Sequence, residues 1–300
     1  MRLSILNTLF LVLFGSAVFC QVELDTIPFT LNESNNIIIE AVVNESDTLA
    51  FMFHTGVNSM SLTPEVSERI SRNKLVKETE IGTWTETKES GYITNNSVQI
   101  GKQKTDSLTI WLDLLSGYES QGKFGPNFFG DKLIEINYDD SILVIHDSSA
   151  TVGSLEIYKS TSLQITDHHS ILLNATLNFG TKTVDHTLML HTGYGGSIIL
   201  DDAFKNANPE LKQLEELSRK ELKDSFGNSM FIKKVMPKSI SFLGETLEGL
   251  SIAYFDSDLE MQKTSIVGCE MMKRFNFILD IENAILYTKP NRNFSLPFIE

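Results

Sequence analysis

The stretch Phe51-Met-Phe-His-Thr-Gly-Val-Asn-Ser-Met-Ser-Leu62 decides the fold, because the chain carries it twice. The second copy reads Leu188-Met-Leu-His-Thr-Gly-Tyr-Gly-Gly-Ser-Ile-Ile199. His54 and His191 stand 137 positions apart. A lone His-Thr-Gly would carry no information, but a second pair of segments repeats at nearly the same offset. Gly122 to Ile145 reads GKFGPNFFGDKLIEINYDDSILVI, and Ser265 to Tyr287 reads SIVGCEMMKRFNFILDIENAILY. Aligning Gly125 with Gly268 gives an offset of 143. Two landmarks in one order at one period mark a duplicated domain, far longer than a solenoid repeat.

Working outward from these landmarks, the local pattern is mainly strand. Ile37 to Val43 and Ala50 to Phe53 are apolar-rich runs joined by the polar turn Asn44-Glu45-Ser46-Asp47. Ile171 to Phe179 and Thr187 to Leu190 repeat the arrangement around Gly180-Thr181-Lys182. Each His-Thr-Gly thus falls where a buried strand runs into a tight, glycine-dependent turn. Leu133 to Tyr138 with Ser141 to Ile145, and Phe275 to Ile281 with Ala284 to Tyr287, read as two further hairpins. Helical pattern is confined to Pro64–Ser71, Asn127–Asp131, Glu270–Arg274 and a Glu/Lys-rich stretch, Pro209–Lys223. The small polar stretch Asp147 to Gly153 reads as the linker. The expected organisation is a signal peptide over 1–20, an N-terminal lobe over 21–152 and a C-terminal lobe over 153–300.

Composition narrows the function classes. The chain has 300 residues with 25 Lys+Arg against 39 Asp+Glu, a net charge of −14. That acidity argues against a general binder of nucleic acid or anionic membranes. Cys20 and Cys269 are the two cysteines, which excludes a disulfide framework and a cysteine-rich zinc module. Met1-Arg2 followed by the uncharged, mostly apolar Leu3–Phe19 reads as a secretory signal ending near Cys20-Gln21. Export to a periplasm or the exterior is therefore expected. Cys20 also raises a lipoprotein reading, though Phe19 is a poor neighbour for lipidation. No second long apolar stretch follows, so no membrane span is expected in the mature chain.

A strand ending in x-Thr-Gly, followed later by an apolar-apolar-Gly that opens a short helix, resembles the pepsin/retropepsin superfamily of aspartic peptidases. Phe124-Gly125 and Val267-Gly268 stand at that second element in the two halves. The strand pairs EINYDDSILVI and FILDIENAILY resemble bacterial secreted members of the group. The likeness runs from about Asp25 to Pro290. It implies a mainly β, two-lobed acid-protease fold, each lobe a duplicated β-barrel-like unit with short helices. It also implies that the two loops meet at the lobe interface, with Thr55 and Thr192 cross-bracing them and Gly56 and Gly193 keeping the turns. A flap, placed at Gly82 to Gln103, would cover the cleft.

The sequence departs from the family at the catalytic position, where the Asp of both loops is His54 and His191. The dyad reaction needs two carboxylates that share one proton, one activating water while the other protonates the substrate carbonyl. Two imidazoles cannot hold that shared negative charge. The expectation is an exported pseudoprotease whose cleft takes an extended peptide or protein segment by strand addition. Alternatives remain: a hydrolase using a histidine base, a weak metal site with His168-His169 as further donors, or two histidines that merely fill the junction. No cofactor and no resident metal are called for. His146 and His186 read as surface or turn residues, and Cys269 as a buried small apolar side chain.

Overall fold

β-branched and aromatic runs become strands here, and the halves of the chain build matching sheets from them. The computed structural model describes residues 24–298 apart from 72–73, 75, 83–86, 150–151, 154 and 258–261. The segment read as a secretory signal, with Cys20, lies outside the described residues. Ile37–Val43 alternates buried and less buried positions and pairs antiparallel with Asp47–Phe53. Asn44 and Glu45 both take positive φ, 52° and 58°, in the turn between them; such a turn matches the twist of the flanking strands.

Among the described residues, an eight-stranded sheet spans Thr30 to Phe124 and a ten-stranded sheet spans Gln164 to Val267. In the first, Asp47–Phe53 lies parallel to Gly122–Phe124, which lies antiparallel to Met60–Leu62. In the second, Thr183–Leu190 lies parallel to Ile266–Val267, which lies antiparallel to Ile198–Leu200. Ile37–Val43 also pairs with Thr87–Ile100, which curls the first sheet back on itself. The two landmarks of the duplication thus become the same three-stranded crossing in each half.

A six-stranded antiparallel sheet takes strands from both halves. Its central pairing joins Leu133–Asn137 to Phe275–Asp280, with Ile134 opposite Leu279 and Ile136 opposite Phe277. Phe275–Asp280 is buried throughout, because one face meets the main core and the other meets Leu133, Val152 and Tyr287. Asn276 adds polar stitches, accepting from the Tyr138 N–H at 2.9 Å and donating to Asp139 at 2.8 Å.

Three local expectations need correction. Pro209–Lys223 is not one helix: a 3-10 turn covers Pro209–Gln213, and Glu216–Lys223 is a strand paired with Ser229–Val235. Long-range pairing overrides the helix propensity of its Glu, Leu and Lys residues. His146 is a buried strand residue, 2.9 Å from Glu135, and His186 lies within a strand, 3.1 Å from Asp201. The flap is also displaced from its expected place. The hairpin that reaches the cleft joins Lys77–Gly82 to Thr87–Ile100, with 83–86 outside the described residues, while Gln103 begins the next strand.

Candidate functional site

The site forms where the two repeated strands end. His54 follows Asp47–Phe53, and its N–H donates to the Phe124 carbonyl at 2.9 Å. His191 follows Thr183–Leu190, and its N–H donates to the Val267 carbonyl at 2.9 Å. Gly125 and Gly268 then cap the short helical turns Pro126–Phe129 and Cys269–Met272. Phe124 and Val267 are both fully buried beneath the loops.

Thr55 and Thr192 exchange hydrogen bonds reciprocally. The Thr55 N–H donates to Thr192 Oγ1 at 2.9 Å, and the Thr192 N–H donates to Thr55 Oγ1 at 3.0 Å. Each hydroxyl then donates across the junction at 2.7 Å, Thr55 to the Leu190 carbonyl and Thr192 to the Phe53 carbonyl. These are buried bonds that satisfy backbone groups of both halves, so breaking one side leaves orphans on the other. Cys269 supports the same junction from below, its thiol donating to the Thr192 carbonyl at 3.1 Å. Burial pushes that thiol up to about 12, so it stays protonated.

The brace holds the imidazoles of His54 and His191 edge to face, with centroids 4.5 Å apart at 66°. Each ring lies against the glycine of the opposite loop. A Cβ on Gly56 would come within 2.9 Å of the His191 ring, and one on Gly193 would run into the His54 ring. The Gly56 N–H donates to His54 Nδ1 at 3.0 Å, which leaves the ring proton of neutral His54 on Nε2. His191 Nδ1 is buried without a partner among the described residues.

Both rings are poor bases. Burial, then the His191 charge and the Lys123 charge, hold His54 well below the usual histidine range. Burial, with Lys123 adding to it, lowers His191 to about 4. The pair is therefore neutral at pH 7, and a shared negative charge of the dyad kind has no seat here.

Lys123 was not singled out in the sequence. It sits in the wholly buried strand Gly122–Phe124, at 8% exposure, and burial lowers its ammonium to about 8. Its Nζ donates to the Leu115 carbonyl at 3.0 Å and to Ser225 Oγ at 2.8 Å. Comparing the two copies would have found it, since the offset of 143 places Ile266 where the first half has Lys123.

A cleft of about 860 Å³ opens above these residues, with His54, His191, Lys123 and Gly193 among its lining; that is the size of a ligand site. Two hairpins reach it. Gly82 comes from the hairpin of the first half, and Lys220 to Ser225 come from Glu216–Val235 of the second. The latter is clipped to the first half where the Leu115 N–H donates to the Ser225 carbonyl at 2.9 Å. His168 and His169 do not line the cleft; the His168 carbonyl accepts from Asn58 on the outside.

A metal fits this donor set badly. Two imidazoles supply two ligands where zinc takes three or four, and the Lys123 charge beside them opposes a cation. Among the described residues no group of three His, Cys, Asp or Glu side chains converges.

No family model and no curated relative matches the chain. Its fold is similar to the crystal structure of an aspartic proteinase from Irpex lacteus, with a TM-score of 0.59 and 13% identity. The match covers 92% of this chain and 100% of that one. At that identity the likeness is one of fold, and the fold is the two-lobed, mainly β barrel architecture of a pepsin-like aspartic proteinase.

Proposed function

We propose that the protein is an exported, ligand-binding relative of the pepsin-like proteinases, a pseudoprotease whose inter-lobe cleft holds an extended peptide without dyad hydrolysis. The observation that carries this reading is the pairing of an intact threonine brace with two neutral imidazoles 4.5 Å apart. The scaffold that brings two catalytic groups together is kept, and the groups themselves are exchanged for ones that cannot share a negative charge. The cleft volume suits a peptide segment, and the strand Lys77–Gly82, last in its sheet among the described residues and reaching the cleft at Gly82, offers main-chain groups for strand addition.

The test uses wild type and His54→Asp/His191→Asp on an unfolded protein substrate across acidic pH. Cleavage by the Asp variant alone is the expected result. Cleavage by wild type that disappears in His54→Ala/His191→Ala would replace this reading with the second one, a hydrolase using a neutral imidazole as general base. The low pKa of both rings weighs against that alternative, since a general base works best with a pKa near the operating pH.

A further inference from the structure

Outside the cleft, this protein gives its buried bases a carboxylate. Lys205 is 6% exposed and meets Asp202 at 2.6 Å, and Arg274 is 1% exposed and meets Glu270 at 2.9 Å. Buried His146 meets Glu135 at 2.9 Å, and part-buried His186 meets Asp201 at 3.1 Å. At the cleft floor the rule fails three times. Lys123, as buried as Lys205, has only a carbonyl and a hydroxyl as partners among the described residues. His54 Nε2 and His191 Nδ1 have no hydrogen-bond partner among them.

A buried ammonium without a counter-charge is costly, and so is the buried, unmet His191 Nδ1. An ammonium has three donors, and Lys123 uses two of them within the protein. His54 contributes a further N–H, because its other nitrogen already accepts from Gly56. Among the described residues the cleft lining includes the carboxylates Glu33, Glu221, Asp224 and Glu270; Glu270 is committed to Lys273 at 2.7 Å and to Arg274, and Asp224 accepts from the Phe226 and Asn228 N–H groups of its own turn. None of these carboxylates is a hydrogen-bond partner of Lys123 or His54, so the floor presents one cationic and one neutral N–H donor into the cleft.

We propose that the cleft floor between His54, His191 and Lys123 is a carboxylate-binding site, so that the cleft takes an acidic peptide. The carboxylate accepts from the Lys123 ammonium and from His54 Nε2. A single negative charge matches the single cation, whereas a dianionic phosphate would leave one charge uncompensated in a desolvated site. The inference rests on the reading that the cleft binds a peptide, and it names that peptide's chemistry. The carboxylate has two sources, an Asp/Glu side chain or the chain end, and both supply the same group.

The probes are octapeptides of alternating Val and Ala with one central Glu or Gln, each with a free or an amidated C-terminus and each labelled with an uncharged boron-dipyrromethene dye that carries no carboxylate. Fluorescence polarisation reads affinity for wild type and for Lys123→Met. A charge-assisted hydrogen bond to a buried site predicts a preference of about tenfold or more for a carboxylate-bearing peptide. Preference for Glu over Gln among the amidated peptides assigns the side chain. Preference for the free end among the Gln peptides assigns the terminus. Either result supports the proposal if Lys123→Met abolishes it. Equal binding of all four by wild type overturns the carboxylate site while leaving the peptide cleft standing, and needs no variant. A preference that survives in Lys123→Met places the carboxylate elsewhere and overturns the assignment. Binding of none of the four overturns the peptide reading and this proposal with it.

Discussion

Acid should unfold this protein partly through its two cleft histidines. Take His54→Gln/His191→Gln, which keeps a polar side chain at both positions and removes the titration. In the unfolded chain a histidine titrates near 6.5, whereas His191 in the folded chain titrates at about 4 and His54 is also well depressed. Between those values the unfolded state binds more protons than the folded state, so stability falls as pH falls. The histidine contribution is fully present above about pH 7 and is lost progressively towards pH 4. For His191 alone, about 2.5 pH units at 1.36 kcal/mol per unit comes to about 3 kcal/mol, and His54 adds loss of the same sign. Other groups that titrate in this range are common to both proteins and cancel in the comparison. The assay is urea unfolding of wild type and variant at intervals from pH 7.5 to 4, read as the difference in unfolding free energy. Whatever constant cost the Gln residues impose, wild type should lose at least about 3 kcal/mol relative to the variant across that range. A difference that stays flat with pH would refute the claim that both rings are held neutral by the junction.

Three further outcomes follow from the junction. Thr55→Val leaves the Leu190 carbonyl and the Thr192 N–H without their buried partner; equilibrium unfolding should show a loss of about 2–4 kcal/mol. Adding Thr192→Val should cost less than the sum of the two single changes, and strict additivity would argue against a shared brace. Gly193→Ala drives a methyl group into the His54 ring, whereas Gly153→Ala meets nothing within 4 Å; thermal unfolding should show a loss of about 1–3 kcal/mol for the first and under about 0.5 kcal/mol for the second. Cys269 is fully buried with its thiol raised to about 12, so a chromogenic disulfide reagent should label it only as fast as the protein opens; rapid labelling of native Cys20→Ser protein, in which Cys269 is the remaining thiol, would contradict its placement.

Much of the fold was legible because duplication turns weak local signals into strong ones. Neither His-Thr-Gly nor an apolar-Gly turn says anything alone, but the pair at nearly one period located both loops and the strands leading into them, although the strands read from Ala50 and Thr187 begin earlier, at Asp47 and Thr183. What failed was whatever depends on a distant partner. The Glu216–Lys223 stretch has helix-forming composition, and only its ladder with Ser229–Val235 and the dock of Ser225 on Leu115 make it a strand. His146 looked like a surface residue because a strand's end carries no sign of what lies across the sheet. Its partner Glu135 comes from the neighbouring strand, where Leu133 rather than Glu135 is the register mate of His146.

Lys123 shows the opposite case, a cleft-lining residue hidden by the likeness itself. Met52 faces Lys123 in the first half as Met189 faces Ile266 in the second, so the two crossings are superimposable in register. Ile266 packs with Ile199, Met230, Ile232 and Phe255 under the hairpin of its own half. A lysine at the matching place in the first half cannot do that without burying a charge, so its Nζ reaches instead for Leu115 and for the turn of the other half's hairpin. Reading a repeat for what its copies share finds the architecture. Reading it for buried positions where a base replaces an aliphatic residue finds where the copies differ, and Lys123 is such a position, in the cleft that the two histidines line.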